Sequence, residues 1–506
     1  MDQREHDGLK KVEKNLVEEN HLIAERIRKL NDIKDKGINP YPYKFYQKNH
    51  SQEIKEKYAK LNPEEKTEEY VSIAGRVLGL RRLGKVTFMH IQDNDGRIQV
   101  FFSENDFPNY DTLKLYDMGD YIGIKGIVFK TKAGEVTVYA QEIEMLSKSL
   151  RPLPEKFHGL QDTEIKYRQR YLDLIMNESS KKTFLMRTKI LKAIREFYDS
   201  RGFLEVETNT LEPIYGGAAA KPFTTHHNAL DMKLYLRISL ELHLKKLIAG
   251  GFEKVYEMGK VFRNEDIDTE HNPEFTLLES YAAYWDYNDV MEFVEDCYIH
   301  VALKVLGTTK LSYQGKEIDI KKPWARMTMK DAIKKFANIE VDSMNDQKIK
   351  ELLSENKIDY TPGMSRGLLI NQLFKVVEHE LIQPVFIIDH PKETTPLCKL
   401  HRINPELIER FEPYINGWEI GNAYSELNDP IRQRYLLEEQ AKQLREGSEE
   451  SNPMDEDFCK AVDYGMPPMG GLGLGIDRMV MLFTNTTSIR DILFFPTMKN
   501  LDEKKQ

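Results

Sequence analysis

The sequence is poor in cysteine and has no long apolar run, and each shortage excludes a class of protein. Cys297, Cys398 and Cys459 are the three cysteines among 506 residues. Their wide spacing argues against a disulfide framework or a zinc knuckle. No run of about 18 apolar residues occurs, so no membrane-spanning helix is expected. The charged N-terminus lacks the apolar core of a secretory signal, and a cytoplasmic protein is predicted.

An excess of positive charge is missing as well. The chain has 73 basic and 82 acidic residues and a formal net charge of −9. This argues against a protein coated with positive charge, although a local basic surface can still bind RNA. The length of 506 residues suffices for two or three domains.

The composition changes along the chain and predicts four segments. Residues 1–66 are highly charged with apolar residues at helical spacing, which predicts a helical N-terminal extension, either an RNA-binding arm or a solvated helix packed on the next domain. Residues 67–148 contain five short β-branched and aromatic runs separated by turn residues, as in an OB-type β-barrel, which commonly binds oligonucleotides. Residues 149–180 read as a linker. Residues 181–506 mix helices and strands, with a helical insertion at about 305–385, so the predicted fold class is α+β.

One turn in the predicted barrel resembles a metal-binding loop. Asp93 and Asp95 lie in the sequence Asp-Asn-Asp-Gly, but the remaining ligand positions of a calcium loop are missing. A hairpin turn between two strands is therefore the preferred interpretation.

The stretch 262–281, FRNEDIDTEHNPEFTLLESY, carries the strongest chemical pattern. The pattern FRNE, a short loop and then HNPEF resembles motif 2 of class II aminoacyl-tRNA synthetases, which binds ATP and an amino acid together. Joining a carboxylate to a phosphate brings two anions together, so fixed cations are needed, and Arg263 is the candidate. Glu265 is expected to accept from the adenine amino group or to orient the arginine, His271 to reach the γ-phosphate, and Phe275 to stack on adenine.

Two further segments resemble the other motifs of this class. Residues 470–481, GGLGLGIDRMVM, fit neither a Rossmann fingerprint nor a P-loop but resemble motif 3. There the glycines let the backbone approach the adenosine, and Arg478 would hold the β- and γ-phosphates. Residues 201–213, RGFLEVETNTLEP, resemble motif 1, which builds the dimer interface in this class and so implies a homodimer.

An acidic segment, residues 409–430, adds candidate metal ligands. Glu412 and Glu419 flank a predicted hairpin turn at Asn416-Gly417, and both are expected to face the ATP phosphates through Mg²⁺, since this ion takes carboxylate and phosphate oxygens together.

The same segment bears on the choice of amino acid. Asn422, Tyr424 and Glu426 alternate on a predicted strand and share one face. A pocket for aspartate would need cations there, but the strand offers Glu426, and Glu279 and Tyr281 add a carboxylate and a hydroxyl. Buried carboxylates require a cation to complete the site, which favours a cationic amino acid.

The order of all these segments resembles the class II lysyl-tRNA synthetase family from about residue 25 to 499. The resemblance implies an OB-fold anticodon-binding domain, a catalytic domain built on an antiparallel sheet flanked by helices, and the substrates L-lysine, ATP and tRNA(Lys). It also implies four sets of contacts: lysine-binding residues Gly217, Glu241, Arg263, Glu279, Tyr281, Asn422, Tyr424 and Glu426; ATP-binding residues Arg263, Asn264, Glu265, His271, Asn272, Phe275, Glu419, Ile420, Gly475, Ile476, Asp477 and Arg478; Mg²⁺ ligands Glu412 and Glu419; anticodon-binding residues Arg76, Phe88 and Gln99.

The sequence departs from this family at two places and leaves other functions open. Leu240 stands where relatives usually carry proline, and HPKETTPLCK replaces a more familiar Ser-Pro-Leu-Ala form. The alternatives are an aspartyl- or asparaginyl-type synthetase, against which the acidic strand argues, and a non-catalytic tRNA-binding or scaffolding paralogue. Such a paralogue is expected to have lost an arginine or the acidic pair. A lysine ligase acting on protein would have little use for the barrel.

Overall fold

The structure is a computed structural model that describes residues 3–154, 160–361, 363–445 and 452–500. The chain divides into two compact units, Met1–Gly159 and Leu160–Gln506. Within the described ranges, every helix is too short or too polar to cross a membrane.

The first unit is a five-stranded barrel preceded by helices. The strands close in the order β1-β2-β3-β5-β4, which confirms the OB-type prediction. Its elements are α1 (Gln3–Glu19), α2 (His21–Asp35), α3 (Ser51–Lys57), β1 (Lys66–Leu83), β2 (Val86–Gln92), β3 (Arg97–Ser103), β4 (Tyr121–Lys130) and β5 (Val136–Ser147).

The predicted N-terminal helix is two helices, because Asn20 accepts a hydrogen bond from the Leu22 N–H (2.8 Å) and starts α2 there. Helix α2 buries an apolar face, and Ile33 joins the core of the barrel. The Arg26 guanidinium donates to the carbonyls of Met118 (2.9 Å) and Ser149 (3.1 Å), which fixes the helix to the barrel.

The turn at Asp93 is a hairpin turn, as predicted. Strands β2 and β3 pair antiparallel up to Gln92 and Arg97. The Asp93 carboxylate accepts a hydrogen bond from the Gly96 N–H within the turn (2.9 Å) and another from the Ser51 N–H (2.6 Å). Both of its oxygens therefore have backbone donors.

The second unit is larger, and its described residues mix helices with three sheets of nine, three and two strands. Its elements are α4 (Thr163–Arg168), α5 (Arg170–Met176), α6 (Glu178–Ser200), β6 (Leu204–Glu205), β7 (Leu211–Glu212), β8 (Thr224–His227), β9 (Met232–Leu236), α7 (Glu241–Ala249), β10 (Lys254–Phe262), β11 (Glu274–Ala283), α8 (Tyr287–Leu306), β12 (Lys310–Tyr313), β13 (Lys316–Asp319), β14 (Ala325–Thr328), α9 (Met329–Ala337), α10 (Asp346–Glu355), α11 (Arg366–Phe374), β15 (Val385–Pro391), β16 (Leu407–Ile415), β17 (Trp418–Glu419), β18 (Gly421–Ser425), α12 (Pro430–Arg445), α13 (Glu456–Asp463), β19 (Met469–Gly475), α14 (Ile476–Thr484) and α15 (Ile489–Ile492).

A large sheet organises this unit, in the order β14-β15-β16-β18-β19-β11-β10-β6 with β17 paired to β16. The central pairs are antiparallel, and the edge strands β14 and β6 pair parallel to their neighbours. Residues of α6, α8 and α14 form one buried apolar cluster with residues of β11, β18 and β19. The sheet is thus flanked by helices, which agrees with the predicted fold class.

Residues 305–385 contain helices α9 to α11, and also strands that the sequence analysis does not predict. Strands β12 and β13 form a separate hairpin, and β14 extends the large sheet beside β15. Gln314 and Gly315 turn the hairpin with positive φ (48° and 80°), a conformation that a search for helical periodicity overlooks.

Candidate active site

A cavity of about 460 Å³ lies in the second unit. It brings together residues that are up to about half the chain apart in sequence. The predicted site residues that line it are Gly217, Glu241, Arg263, Glu265, His271, Asn272, Phe275, Glu279, Tyr281, Glu419, Ile420, Asn422, Tyr424, Glu426, Gly475, Asp477 and Arg478.

The three other residues predicted for this site lie outside the cavity lining. Asn264 is exposed, and its backbone N–H donates to the Lys221 carbonyl (2.8 Å). Ile476 is fully buried in the apolar core. Glu412 is buried on β16 beside the cavity residue Arg410.

The glycine run of β19 forms the floor of the cavity, because two of its glycines lie between side chains of the neighbouring strands. Gly473 pairs with Glu279 of β11 on one side and with Asn422 of β18 on the other. Gly471 pairs in the same way with Tyr281 and Tyr424. Gly471 and Gly473 are two residues apart on one strand, so they face the same side of the sheet. Because glycine has no side chain, they form a trough between the polar side chains of β11 and β18.

Gly471 belongs to the acidic end of this trough. A Cβ at residue 471 would lie 2.5 Å from Tyr281 Cε1 and 2.9 Å from Glu426 Cδ. A Cβ at residue 475 would meet only the Ile420 carbonyl oxygen, at 3.7 Å. Gly471 therefore makes room for the side chain of Glu426. The sequence analysis gave a different reason for the glycines, namely that they let the backbone approach adenosine.

Three buried carboxylates, Glu241, Glu279 and Glu426, meet at that end of the cavity. Glu426 follows the last residue of β18 and forms an isolated bridge with Cys398. Burial, together with the charge of Glu241, raises the pKa of Glu279 to about 8. Burial also raises the pKa of Glu426, against the opposing charge of Lys245. Both shifts have the same cause, the burial of several carboxylates close together.

The departure at Leu240 has a structural consequence. The Leu240 N–H donates a buried hydrogen bond to Glu279 Oε1 (3.0 Å), and Leu240 has φ −107°. Proline has no N–H, and its ring fixes φ near about −65°. Leucine therefore supplies the carboxylate with a donor that proline cannot.

Arg263 lies at the other end of the cavity, directly after β10. Its guanidinium carbon is 5.1 Å from the centre of the Phe275 ring. Its buried Nε has no hydrogen-bond acceptor among the described residues. A buried donor without a partner is costly, so this atom is suited to an anionic ligand.

His271 and Glu270 are held in place by their neighbours in the loop between β10 and β11. Asp268 Oδ2 lies 2.8 Å from His271 Nδ1, which leaves the opposite ring nitrogen, Nε2, available to a ligand. Burial raises the pKa of Asp268, but hydrogen bonds from His271 and the loop backbone outweigh it and lower that pKa. The Trp418 indole N–H donates to Glu270 Oε1 (3.1 Å) and ties the loop to β17.

Asp477 joins strand β11 to helix α14. Its Oδ2 accepts from the Thr276 N–H (2.8 Å), and its Oδ1 accepts from the Arg187 guanidinium (2.6 Å). Both oxygens of this predicted ATP-binding residue therefore have protein partners. The next residue, Arg478, donates to the backbone carbonyl of Glu419.

Glu412 and Glu419 lie on the two arms of a hairpin, as predicted, because Asn416 and Gly417 both adopt positive φ (58° and 75°). Glu412 accepts from Arg410 (2.6 Å) and from the Tyr414 hydroxyl (3.2 Å). Burial, followed by the charge of Glu412, raises the pKa of Glu419 to about 7.

Glu412 and Glu419 would supply part of the ligand set of a divalent cation, although both oxygens of Glu412 also accept from protein donors. Among the described residues, no group of three or more His, Cys, Asp or Glu side chains is arranged so that it could hold a metal ion by itself. An ion at Glu412 and Glu419 would therefore need further oxygen atoms, and the phosphates of ATP supply such atoms. This donor set is compatible with Mg²⁺.

Two residues of the cavity region were missed by the sequence analysis. Arg410 Nε donates to Asn422 Oδ1 (3.0 Å) while its Nη2 donates to Glu412. Its alternation with Glu412 on one strand is a signal that points to a shared face. Lys245 is fully buried beside Glu241, four residues earlier on α7. The four-residue spacing of Glu241 and Lys245 indicates an ion pair on one helix face. Because Lys246 follows directly, the sequence suggests that this face is exposed to solvent.

The residues predicted to bind an anticodon lie on the first unit. Phe88 is half-buried and packs against Phe101 (ring centres 5.1 Å apart). Gln99 donates to Glu135 (2.9 Å) and accepts from Thr137 (3.0 Å). Arg76 donates to the Gly119 carbonyl (3.0 Å) and lies over the Tyr121 ring.

Phe88 is part of a larger aromatic band that the sequence analysis missed. Phe101 contacts Tyr139 (5.2 Å between ring centres) and Phe129 (5.6 Å), so four half-buried rings cross four strands of the barrel. The band offers flat apolar surface to an unpaired base.

Comparisons with known proteins agree with both units. Residues 162–499 match the family model of tRNA synthetases class II (D, K and N), and residues 71–146 match that of the OB-fold nucleic acid binding domain. A protein of Thermoanaerobacter sp. (strain X514) described as lysine--tRNA ligase is 51% identical over 490 residues, 96% of this chain and 97% of that protein. A protein of Moorella thermoacetica with the same description is 49% identical over 492 residues, 96% of this chain and 100% of that protein.

Proposed function

The chain belongs to the class II tRNA synthetases of the lysine--tRNA ligase family, and we propose from this how its residues carry out the reaction. The enzyme activates L-lysine with ATP to lysyl-adenylate and transfers the lysyl group to the 3′ end of tRNA(Lys). In the first step a lysine carboxylate oxygen bonds to the α-phosphorus and pyrophosphate leaves. In the second step the terminal ribose hydroxyl attacks the acyl carbon and AMP leaves.

Arg263 and Arg478 neutralise the two reacting anions. The unpartnered Nε of Arg263 supports a role in holding the lysine carboxylate beside the α-phosphate. Arg478, near the start of helix α14, holds the outer phosphates, which His271 reaches through its Nε2. Phe275 stacks on adenine, and Glu265 accepts from the adenine amino group. Catalysis consists of positioning and charge neutralisation and uses no covalent nucleophile of the enzyme.

Glu412 and Glu419 would hold Mg²⁺ against the ATP phosphates. When bound, the ion supplies positive charge that stabilises the pyrophosphate leaving group. The position of Glu419 in the cavity lining, on the hairpin that also carries Glu412, supports this assignment.

The choice of lysine rests on one observation, the three buried carboxylates Glu241, Glu279 and Glu426 at one end of the cavity. An ammonium group has three donors and satisfies several such acceptors at once. Aspartate and asparagine have no side-chain ammonium group and would leave one of these carboxylates without a cation, which is costly in a buried site. Gly217 and Glu241 bind the α-amino group, and Tyr281, Asn422 and Tyr424 complete the side-chain pocket.

The barrel recognises the anticodon of tRNA(Lys). Phe88 stacks on a base, Gln99 hydrogen-bonds a base edge, and Arg76 contacts phosphate or base. The boundaries proposed for the parts are residues 67–148 for the barrel and 181–506 for the catalytic domain, joined by 149–180 and preceded by the extension 1–66. We further propose a homodimer formed through residues 201–213, in the cytoplasm.

Amino-acid-dependent ATP–pyrophosphate exchange tests the proposal. Lysine should support exchange and aspartate or asparagine should not. Glu279→Gln should raise the KM for lysine by at least about 100-fold, because breaking a buried charge pairing costs about 3–5 kcal/mol. Glu274→Gln, on the same strand but exposed, is the matched control. Folded, magnesium-replete protein that showed no lysine-dependent exchange would contradict the function itself.

A further inference from the structure

Lys245 places a cation of the protein against two carboxylates that line the cavity proposed to bind lysine. Its side chain is fully buried, and its Nζ is 2.5 Å from Glu241 Oε1 and 2.5 Å from Glu426 Oε2. The two carboxylates come from different elements, helix α7 and the segment after β18, so the ammonium group bridges two walls of the pocket.

Glu279, the third carboxylate, has only neutral partners. It accepts from the Leu240 N–H (3.0 Å) and from the Tyr281 hydroxyl (3.1 Å). Three carboxylates and one lysine leave two negative charges in excess when all are ionised. L-Lysine carries two ammonium groups, so one substrate molecule balances that excess, while its carboxylate is assigned to Arg263.

The environment of Lys245 keeps it charged. Burial alone would lower its pKa, but the charges of Glu241 and Glu426 outweigh burial and raise it. The ionisable and aromatic side chains that surround it are Glu241, Glu279, Tyr281, Cys398, Glu426 and Phe458.

We propose that Lys245 is a specificity-determining positioning residue, a resident ammonium group that holds Glu241 and Glu426 in place and sets the pocket charge to fit a diamino acid. This rests on the proposed function. An amino acid with one ammonium group would leave one carboxylate without a cation, and buried charges of this kind are costly.

Lys245→Met removes the charge and keeps most of the side-chain volume. Three carboxylates would then face two substrate ammonium groups, and one carboxylate would have to retain a proton. We expect the KM for lysine to rise at least about tenfold, with the KM for ATP changed less than about twofold. Lys246→Met is the matched control, since Lys246 pairs with Asp455 and Asp457 outside the pocket.

The pH profile separates this role from simple packing. In the wild type the KM for lysine should fall as pH rises from 6 and level off near pH 8, where Glu279 ionises. In Lys245→Met the KM for lysine should go on decreasing above pH 8, because loss of the lysine cation raises the pKa of the three carboxyl groups. A profile and a lysine KM that coincide with those of the wild type would overturn the proposal.

Two further measurements cover the remaining outcomes. If Lys245→Met does not fold, Lys245→Arg keeps the charge, and its pH profile must then match the wild type; a shifted profile would contradict the proposal. Calorimetry of lysine binding to the wild type in two buffers of different ionisation enthalpy should show proton release at pH 7, and none would contradict the charge balance. Absence of lysine-dependent exchange in the wild type would instead refute the proposed function.

Discussion

Replacing Gly471 with alanine should damage lysine binding selectively. The added Cβ would lie 2.5 Å from Tyr281 Cε1 and 2.9 Å from Glu426 Cδ, and closer still to Glu426 Oε1. Because ordinary contacts between heavy atoms are about 3.5–4.0 Å, the carboxylate and the ring must each move by roughly 1 Å.

The size of the effect follows from where that movement occurs. Glu426 is buried and paired with Lys245, so its displacement disturbs the lysine pocket more than the rest of the fold. Overpacking of this kind costs about 1–3 kcal/mol, which corresponds to a rise in the lysine KM of roughly 5- to 150-fold. The KM for ATP should change little, because the nucleotide end of the cavity lies beyond Gly473.

Pyrophosphate exchange with lysine and ATP titrated separately measures the two constants, and thermal unfolding monitors the fold. Gly475→Ala provides the contrast, since its Cβ would meet only Ile420 O, at 3.7 Å. Its lysine KM should stay within about twofold of the wild type. Equal losses for lysine and ATP in Gly471→Ala, or an unchanged lysine KM, would refute the assignment of Gly471 to the amino-acid pocket.

Three other changes test separate parts of the molecule. Leu240→Pro removes the donor to Glu279 Oε1 and should raise the lysine KM at least about 10-fold, as expected for a lost hydrogen bond to a charged group; a normal KM would show that the donor is dispensable. Phe88→Ala should weaken tRNA charging by about 1–3 kcal/mol per stacked base and leave exchange intact, whereas Tyr43→Ala, fully exposed, should change neither. Glu419→Gln should increase the magnesium concentration needed for exchange, and an unchanged magnesium dependence would contradict its role as a ligand.

Much of the fold could be predicted because its signals are local. Strand β2 of the barrel alternates buried and half-buried residues, and Asn416-Gly417 is a strong hairpin signal. The hairpin β12–β13 was missed, because its turn, Gln314-Gly315, lacks the usual asparagine or aspartate before glycine. The break between α1 and α2 was missed because helical spacing continues across the capping residue Asn20.

The candidate site could be predicted in its parts but not in its pairings. Residues that alternate on one strand, such as Asn422 and Tyr424, were recognised from spacing alone. The bridge from Lys245 to Glu426 joins positions 181 residues apart, and the charge count of the pocket depends on it. The local sequence does not predict whether Lys245 or Lys246 is buried, because burial depends on tertiary packing.

The carboxylate of Asp477 links the two ends of the proposed ATP site. It is bonded to the Thr276 N–H, one residue after the ring proposed to stack on adenine, and it precedes the guanidinium proposed to hold the phosphates. The backbone next to Phe275 and the backbone next to Arg478 are therefore linked through a single side chain, that of Asp477. Any change at Asp477 should therefore affect the adenine end and the phosphate end of the proposed ATP site together.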